Sequence, residues 1–231
     1  YMIHLALEMG NSRFAYYQSL FGFGKITGID LPGETTGIVY GDRMTTIDAA
    51  CNSFGQTINV NMMQMMAAYC SIINGGMLYQ PHIVKRIESA NGEVVKEYKA
   101  NLVRQTITAS TSKLLRRYLK NTVEEGTAKK AGVTGYSVAG KTGTAQKGDR
   151  KDNKWIISFI GHAPAENPKF AIYVVIDEPY GTTGTSGSSA DVLTLTHNIL
   201  EKLLPYMNVY KDASDEYEDT SSSPDELTVD G

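Results

Sequence analysis

The strongest constraint on this chain is a change of period. Before Glu125, outside a Gly-rich loop and one small hairpin, the apolar residues recur at helical steps of three and four. From Tyr136 to Ile176 they fall instead in three β-rich runs, Tyr136 to Gln146, Trp155 to His162 and Phe170 to Ile176. The links between the runs are the charged stretch Lys147 to Lys154 and a turn around Pro164 and Pro168. Both fall short of the roughly dozen residues that a parallel crossover needs, so the spacing predicts antiparallel neighbours. A helix with Val192, Leu195, Ile199 and Leu203 on one face follows and stops at Pro205. The class is α/β in the broad sense and α+β more narrowly, an antiparallel sheet flanked by helices.

The segment before the sheet reads as mainly helical. Ile3, Ala6, Gly10, Phe14, Tyr17 and Phe21 keep one helix face, as a helix or a helical pair broken near Gly10. Phe21 to Gly24 and Thr27 to Gly33 predict an ordered loop, because glycine and proline there set turns. Asn61 with Gln64 forms a capping box before a stripe of Met62, Met65, Tyr69 and Ile72, which Gly75 and Gly76 end. Residues 78 to 98 predict a β-hairpin turning at Asn91-Gly92. A further helix runs from Ser110, in the N-cap role, to Glu125, with Gly126 as terminator. Residues 1–208 thus form one piece, helical with a small hairpin over 1–135 and carrying three strands and the last helix over 136–208. Residues 209–231 are acidic and Ser-rich, which predicts a disordered tail.

With 42% apolar and 20% charged residues, fibrous and wholly disordered readings are excluded. No run approaches the roughly 20 apolar residues of a membrane-spanning helix. Eight acidic residues without a Lys or Arg lie between Asp212 and Gly231, and setting them aside turns the net charge from −3 to +5. An excess that small, spread over the remainder, argues against nucleic acid. Cys51 and Cys70 form no CxxC pair, and His4, His82, His162 and His197 share no ligand spacing, so neither a metal nor a cofactor is implied.

The run Gly140-Lys141-Thr142-Gly143-Thr144-Ala145-Gln146, on a predicted strand, carries a mechanism. Lys-Thr-Gly is one of three signature elements of penicillin-binding proteins and class A β-lactamases. Around it stand Phe21-Gly-Phe-Gly24, Thr27-Gly-Ile-Asp-Leu-Pro-Gly-Glu34, Ser53-Phe-Gly-Gln56, Asn74-Gly-Gly76 and Glu125-Gly-Thr-Ala-Lys129. In that order the set resembles the transpeptidase domain of class B penicillin-binding proteins, over roughly residues 1 to 206. The resemblance implies a penicillin-binding/serine β-lactamase-like fold and a D,D-transpeptidase. Such an enzyme attacks the D-Ala-D-Ala end of a peptidoglycan stem peptide, holds it as an acyl-enzyme and passes it to an amine. β-Lactams act on it as substrate mimics. Its setting is the outer face of the bacterial membrane, among other cell-wall synthesis proteins.

Physical chemistry fits Lys141 to that task. A fixed cation with the hydroxyls of Thr142 and Thr144 orients a terminal carboxylate, Gly143 permits close approach, and an extended peptide can pair with the strand. The resemblance makes the Thr144 N–H one half of an oxyanion hole, and Gln146, on the same face, limits the pocket mouth. The nucleophilic Ser-x-x-Lys occurs only as Ser110 to Lys113, too near Lys141 for the family's order, and is rejected. No Ser-x-Asn is present; Ala50-Cys51-Asn52 lacks the hydroxyl. The expectation is that the nucleophile, the Ser-x-Asn element and the first strands of the sheet lie upstream of Tyr1, and that this N-terminal half of the domain is required as a partner. The competing readings are a binding or scaffold module without catalysis, and a serine β-lactamase or β-lactam sensor.

Overall fold

The structure, a computed structural model, describes residues 1–148, 151, 153–179 and 188–212. Helices α1 (Met2–Met9) and α2 (Asn11–Leu20) are separated by Gly10, whose φ of 81° breaks the helix. The loop after α2 is pinned from within. The Glu34 carboxylate accepts from the Thr27 N–H (2.8 Å), the Thr27 hydroxyl (2.7 Å) and the Gly28 N–H (3.0 Å). Helix α3 (Thr46–Asn52), absent from the sequence reading, opens on a Thr45–Asp48 capping box. Helix α4 (Met62–Ile73) carries the expected Asn61–Gln64 box.

The buried face of α4 matches the expected stripe only in part. Tyr69 is buried, Met65 and Ile72 are half-buried and Met62 is exposed, whereas Gln64, Ala68, Ser71 and Ile73 are buried outside it. The region after α4 forms two pairs of strands rather than one hairpin. β1 (Met77–Gln80) pairs with β4 (Asn101–Gln105), and β2 (Arg86–Glu88) pairs with β3 (Val94–Glu97) through the turn containing Asn91 and Gly92. Helix α5 (Ala109–Glu124) starts earlier than expected. Its N-cap is Thr108, which accepts from the Thr111 N–H at 3.2 Å, and Ser110 sits within the first turn.

The main sheet is antiparallel with order β5-β6-β7: β5 (Ala139–Lys147), β6 (Lys154–Ala163) and β7 (Phe170–Asp177). Helix α6 (Ala190–Tyr206) covers one face. Phe159 and Ile157 of β6 are fully buried with Val192, Leu193, Leu200 and Leu204 of α6 and with Ala128, Ala131 and Val123. Each large side chain so buried contributes roughly 1.5–3 kcal/mol. The buried stripe of α6 is centred on Thr196 and Leu200, not on Leu195 and Ile199, which are exposed. The other face of the sheet meets α4, where the Tyr69 hydroxyl lies 2.8 Å from His162 Nδ1.

The boundary set at 208 is corrected. Val209 is 4% exposed within the core, and the Asp212 N–H donates to the Gly135 carbonyl at 2.8 Å, so the fold extends through residue 212. The rest of the predicted tail, 213–231, lies outside the described residues. Helix α1 buries only Ala6 and exposes Met2, Ile3, Leu5, Leu7 and Met9. No described helix is long and apolar enough to cross a membrane.

Candidate functional site

β5 carries the run from Gly140 to Gln146 without interruption, in regular register with β6 from Ala139 opposite His162 to Lys147 opposite Lys154. It is the outer strand of its sheet, so one of its edges has no partner strand among the described residues. Alternation places Thr142, Thr144 and Gln146 on the face shared with Phe159 and Ile157, and Lys141 and Gly143 on the face toward α4. The proposed site residues therefore come from both faces of one strand.

What reunites them is the free edge. The Gly140 carbonyl accepts from the Thr122 hydroxyl of α5, and the Thr142 carbonyl accepts from Lys141 Nζ at 3.0 Å, so both point away from β6. On the far side, the carbonyl of Trp155, opposite Gln146, accepts from the Glu178 N–H at 2.8 Å, toward β7. In an antiparallel ladder the N–H and C=O of one residue point the same way and alternate along the strand. Thr142, Thr144 and Gln146 thus direct their backbone groups outward, while Lys141, Gly143 and Ala145 direct theirs to β6. The Lys141 ammonium also lies 3.4 Å from Thr142 Oγ1. Cation, hydroxyl and outward N–H converge on one exposed edge, which suits an anionic, extended ligand.

Three glycines shape this strand for different reasons. A Cβ on Gly143 would lie 2.5 Å from Ser158 Oγ on β6, so the bare position makes room for a neighbouring side chain. Burial pushes up the phenol of Tyr173 on β7, and Ser158 opposes that rise. Gly140 and Gly161, directly opposed, leave space for the Phe159 ring; a Cβ on Gly161 would come 2.5 Å from Phe159 Cε1. None of this was readable from the Lys-Thr-Gly pattern, which says nothing of the strand opposite.

Gln146 is half-buried, faces the same way as Thr144 and stands opposite Trp155. Lys147 is drawn away from the edge by Asp177 and Glu178, each at 2.9 Å. Within the link that follows, residues 149, 150 and 152 lie outside the described ones. Ser110, rejected above as nucleophile, is exposed, with its hydroxyl 2.9 Å from Thr108 Oγ1. The histidines are dispersed: His162 bonds Tyr69, His197 Nδ1 lies 2.7 Å from the Gly132 carbonyl, His82 stacks on Tyr98 and His4 lies beside Glu8. Sequence reasoning missed Thr122, which sits at the C-terminal end of α5 as an ordinary helix threonine and gains its role only where the strand passes.

Comparison with known proteins is consistent with this arrangement. The family model of the penicillin binding protein transpeptidase domain matches residues 1–201. Stage V sporulation protein D of Bacillus subtilis is 40% identical over 212 residues, covering 90% of this chain and 32% of that protein. Peptidoglycan D,D-transpeptidase FtsI of Escherichia coli is 34% identical over 215 residues, covering 90% and 34% respectively. The crystal structure of penicillin binding protein 3 from Mycobacterium tuberculosis with aztreonam superposes with a TM-score of 0.81 at 31% identity, over 91% of this chain and 50% of that one. The chain spans about a third of the length of these curated relatives. On sequence and fold together, it belongs to the transpeptidase domain family of penicillin-binding proteins.

Proposed function

We propose that this chain forms the substrate-cradling side of a peptidoglycan D,D-transpeptidase, with the attacking serine supplied by protein outside residues 1–231. The observation that carries the reading is the free edge of β5, where the Lys141 ammonium stands 3.0 Å from the Thr142 carbonyl and 3.4 Å from its hydroxyl. A stem peptide ending in D-Ala-D-Ala lays its terminal carboxylate against Lys141, Thr142 and Thr144 and pairs its backbone with the strand. The serine oxygen adds to the penultimate carbonyl, and the resulting oxyanion accepts from the Thr144 N–H. Collapse expels D-Ala and leaves the acyl-enzyme, which an amine of a neighbouring strand attacks to restore the serine. β-Lactams enter the same way. Gly143 keeps the approach open, and Gln146 bounds the mouth.

The exposed apolar surface of α1 and the one-sided β5 suit a covering surface from the N-terminal half of the same domain. The substrate places the domain on the outer face of the bacterial membrane, beside other cell-wall synthesis proteins. The test is acylation of the complete protein by a labelled penicillin. Thr144→Pro removes the outward N–H at an edge position that proline tolerates, and acylation should fall about 10²–10³-fold. Lys141→Met should cost about 10- to 100-fold through loss of a charge-assisted contact. Unchanged acylation in Gln146→Ala would remove that residue from the site. If the unaltered protein takes no label, the scaffold reading replaces this one; rapid turnover of the label would mark a β-lactamase.

A further inference from the structure

One face of α5 is cationic and uncovered. Lys113, Arg116, Arg117 and Lys120 line a groove of about 540 Å³ whose other wall is Ala165 and Glu166, in the turn between β6 and β7. Lys120 is engaged by Glu166 at 2.5 Å and Glu124 at 3.5 Å, and Arg116 donates to the Ile73 carbonyl at 2.6 Å. Lys113 and Arg117 are exposed and have no carboxylate within ion-pair distance among the described residues.

The chain holds a matching polyanion. Between Asp215 and Asp219 four of five residues are carboxylates, and no Lys or Arg occurs from Asp212 to Gly231. The described structure shows where this segment departs. The Asp212 N–H is held by the Gly135 carbonyl at 2.8 Å, and Lys169 donates to the Asn208 carbonyl at 2.6 Å and stands 5.5 Å over the Tyr210 ring. Lys169 lies three residues from Glu166, at the groove's wall. From Gly135 the path to the groove is two residues to Ser137, whose hydroxyl donates to Glu166 at 3.1 Å, and then the Glu166–Lys120 pair. Asp215 extends up to about 10 Å from Asp212 and Asp219 up to about 23 Å, and Lys113 to Lys120 spans about 10 Å of helix.

We propose that the acidic segment Asp215–Asp219 docks in cis on this face of α5, pairing with Lys113 and Arg117 and with the outer side of Lys120. The docking is independent of the transpeptidase reading. It masks the positive excess of the folded part and occupies a groove otherwise open to other anions. Exposed pairs are individually weak, so the contact is a network that salt dissolves.

The test is zero-length carbodiimide coupling of the full chain at low salt, with linked peptides mapped by mass spectrometry. Lys113 and Lys120 should couple to Asp215–Asp219 within one molecule at least about fivefold more than the exposed Lys85, Lys96 and Lys202, and about 0.5 M salt should abolish the preference. Arg117→Glu keeps both reporting lysines and should lower their coupling about fivefold, with Arg117→Gln intermediate. Even coupling to all exposed lysines, or no change in either variant, overturns the proposal. Links formed only between isotopically light and heavy copies overturn it in favour of a second copy as occupant.

Discussion

At the scale of the residue, the tightest constraint on the site strand is the bare pair Gly140 and Gly161 beneath the Phe159 ring. A Cβ on Gly140 would meet the Ile160 carbonyl at 2.6 Å and Phe159 Cε2 at 2.7 Å. The carbonyl belongs to the ladder and cannot withdraw, and the ring is fully buried against α6. Gly140→Ala should therefore cost about 1–3 kcal/mol by overpacking, read as a fall of roughly 2–12 °C in the thermal midpoint. The cause is testable by a double-mutant cycle with Phe159→Leu. If the ring is the obstacle, the combined variant loses at least about 0.5 kcal/mol less than the sum of the two single changes. Strict additivity would show that the backbone contact alone limits the position. Gly140 thus leaves room for the Phe159 ring and the neighbouring strand one residue before Lys141.

At the scale of the element, the loop from Thr27 to Thr36 is organised by one carboxylate. Desolvation works to raise the Glu34 carboxyl, but bonds from the Thr27 backbone and hydroxyl, the Gly28 backbone and Asn61 outweigh it and hold the group below the usual range. Gln64, 1% exposed on α4, donates from the other side to the Lys25 carbonyl at 2.6 Å and the Thr36 carbonyl at 3.0 Å. Glu34→Gln should cost about 1.5–3 kcal/mol, as expected for bonds to a charged group, and speed hydrogen exchange at the Thr27 and Gly28 amides. Equal protection of those amides in both proteins would show that the loop is held by its glycine turns alone. The strands and helices were legible where local pattern and tertiary fate agree: β6 and β7 by their β-rich apolar runs, the break at Gly10 and the Asn61–Gln64 box by their turn chemistry. Pattern failed where buried polar groups satisfy themselves. Thr196 lies at the centre of α6's buried face with its hydroxyl on the Val192 carbonyl at 2.7 Å, so an apolar count chose Leu195 and Ile199 instead. Gln64 misled in the same way on α4. At α5 the run Thr108 to Ser112 offers several capping hydroxyls, and sequence cannot rank them. The free edge of β5 was beyond reach as well, because it depends on which strand the sheet leaves unpaired.

At the scale of the whole molecule, the helical part and the sheet are joined through a buried histidine. His162 is fully buried on β6, with Nδ1 2.8 Å from the Tyr69 hydroxyl of α4 and Nε2 3.2 Å from the Ala165 carbonyl. Burial pushes its pKa down to about 4; nearby Arg116 adds to the fall, while the Ala165 carbonyl and Glu166 oppose it. In the folded protein the ring stays neutral down to that value, whereas an unfolded chain protonates it near 6.5. Between those limits the unfolded state binds the extra proton, so stability must fall as the solution is acidified. The sign is that of a depressed group: the stabilisation is complete above about pH 6.5 and is lost progressively toward pH 4, by roughly 3 kcal/mol in all. Denaturant midpoints should hold level from pH 7.5 to about 6.5 and decline from there to pH 4.5. Glu34 and Glu166, both held below the usual carboxylate range, add their own losses only at and below the acid end. His162→Gln removes the titrating ring while keeping groups able to bond Tyr69 and Ala165, and should flatten the decline between pH 6.5 and 4.5. An unchanged slope in that variant would mean that the junction between α4 and the sheet senses no proton and that the acid sensitivity resides elsewhere.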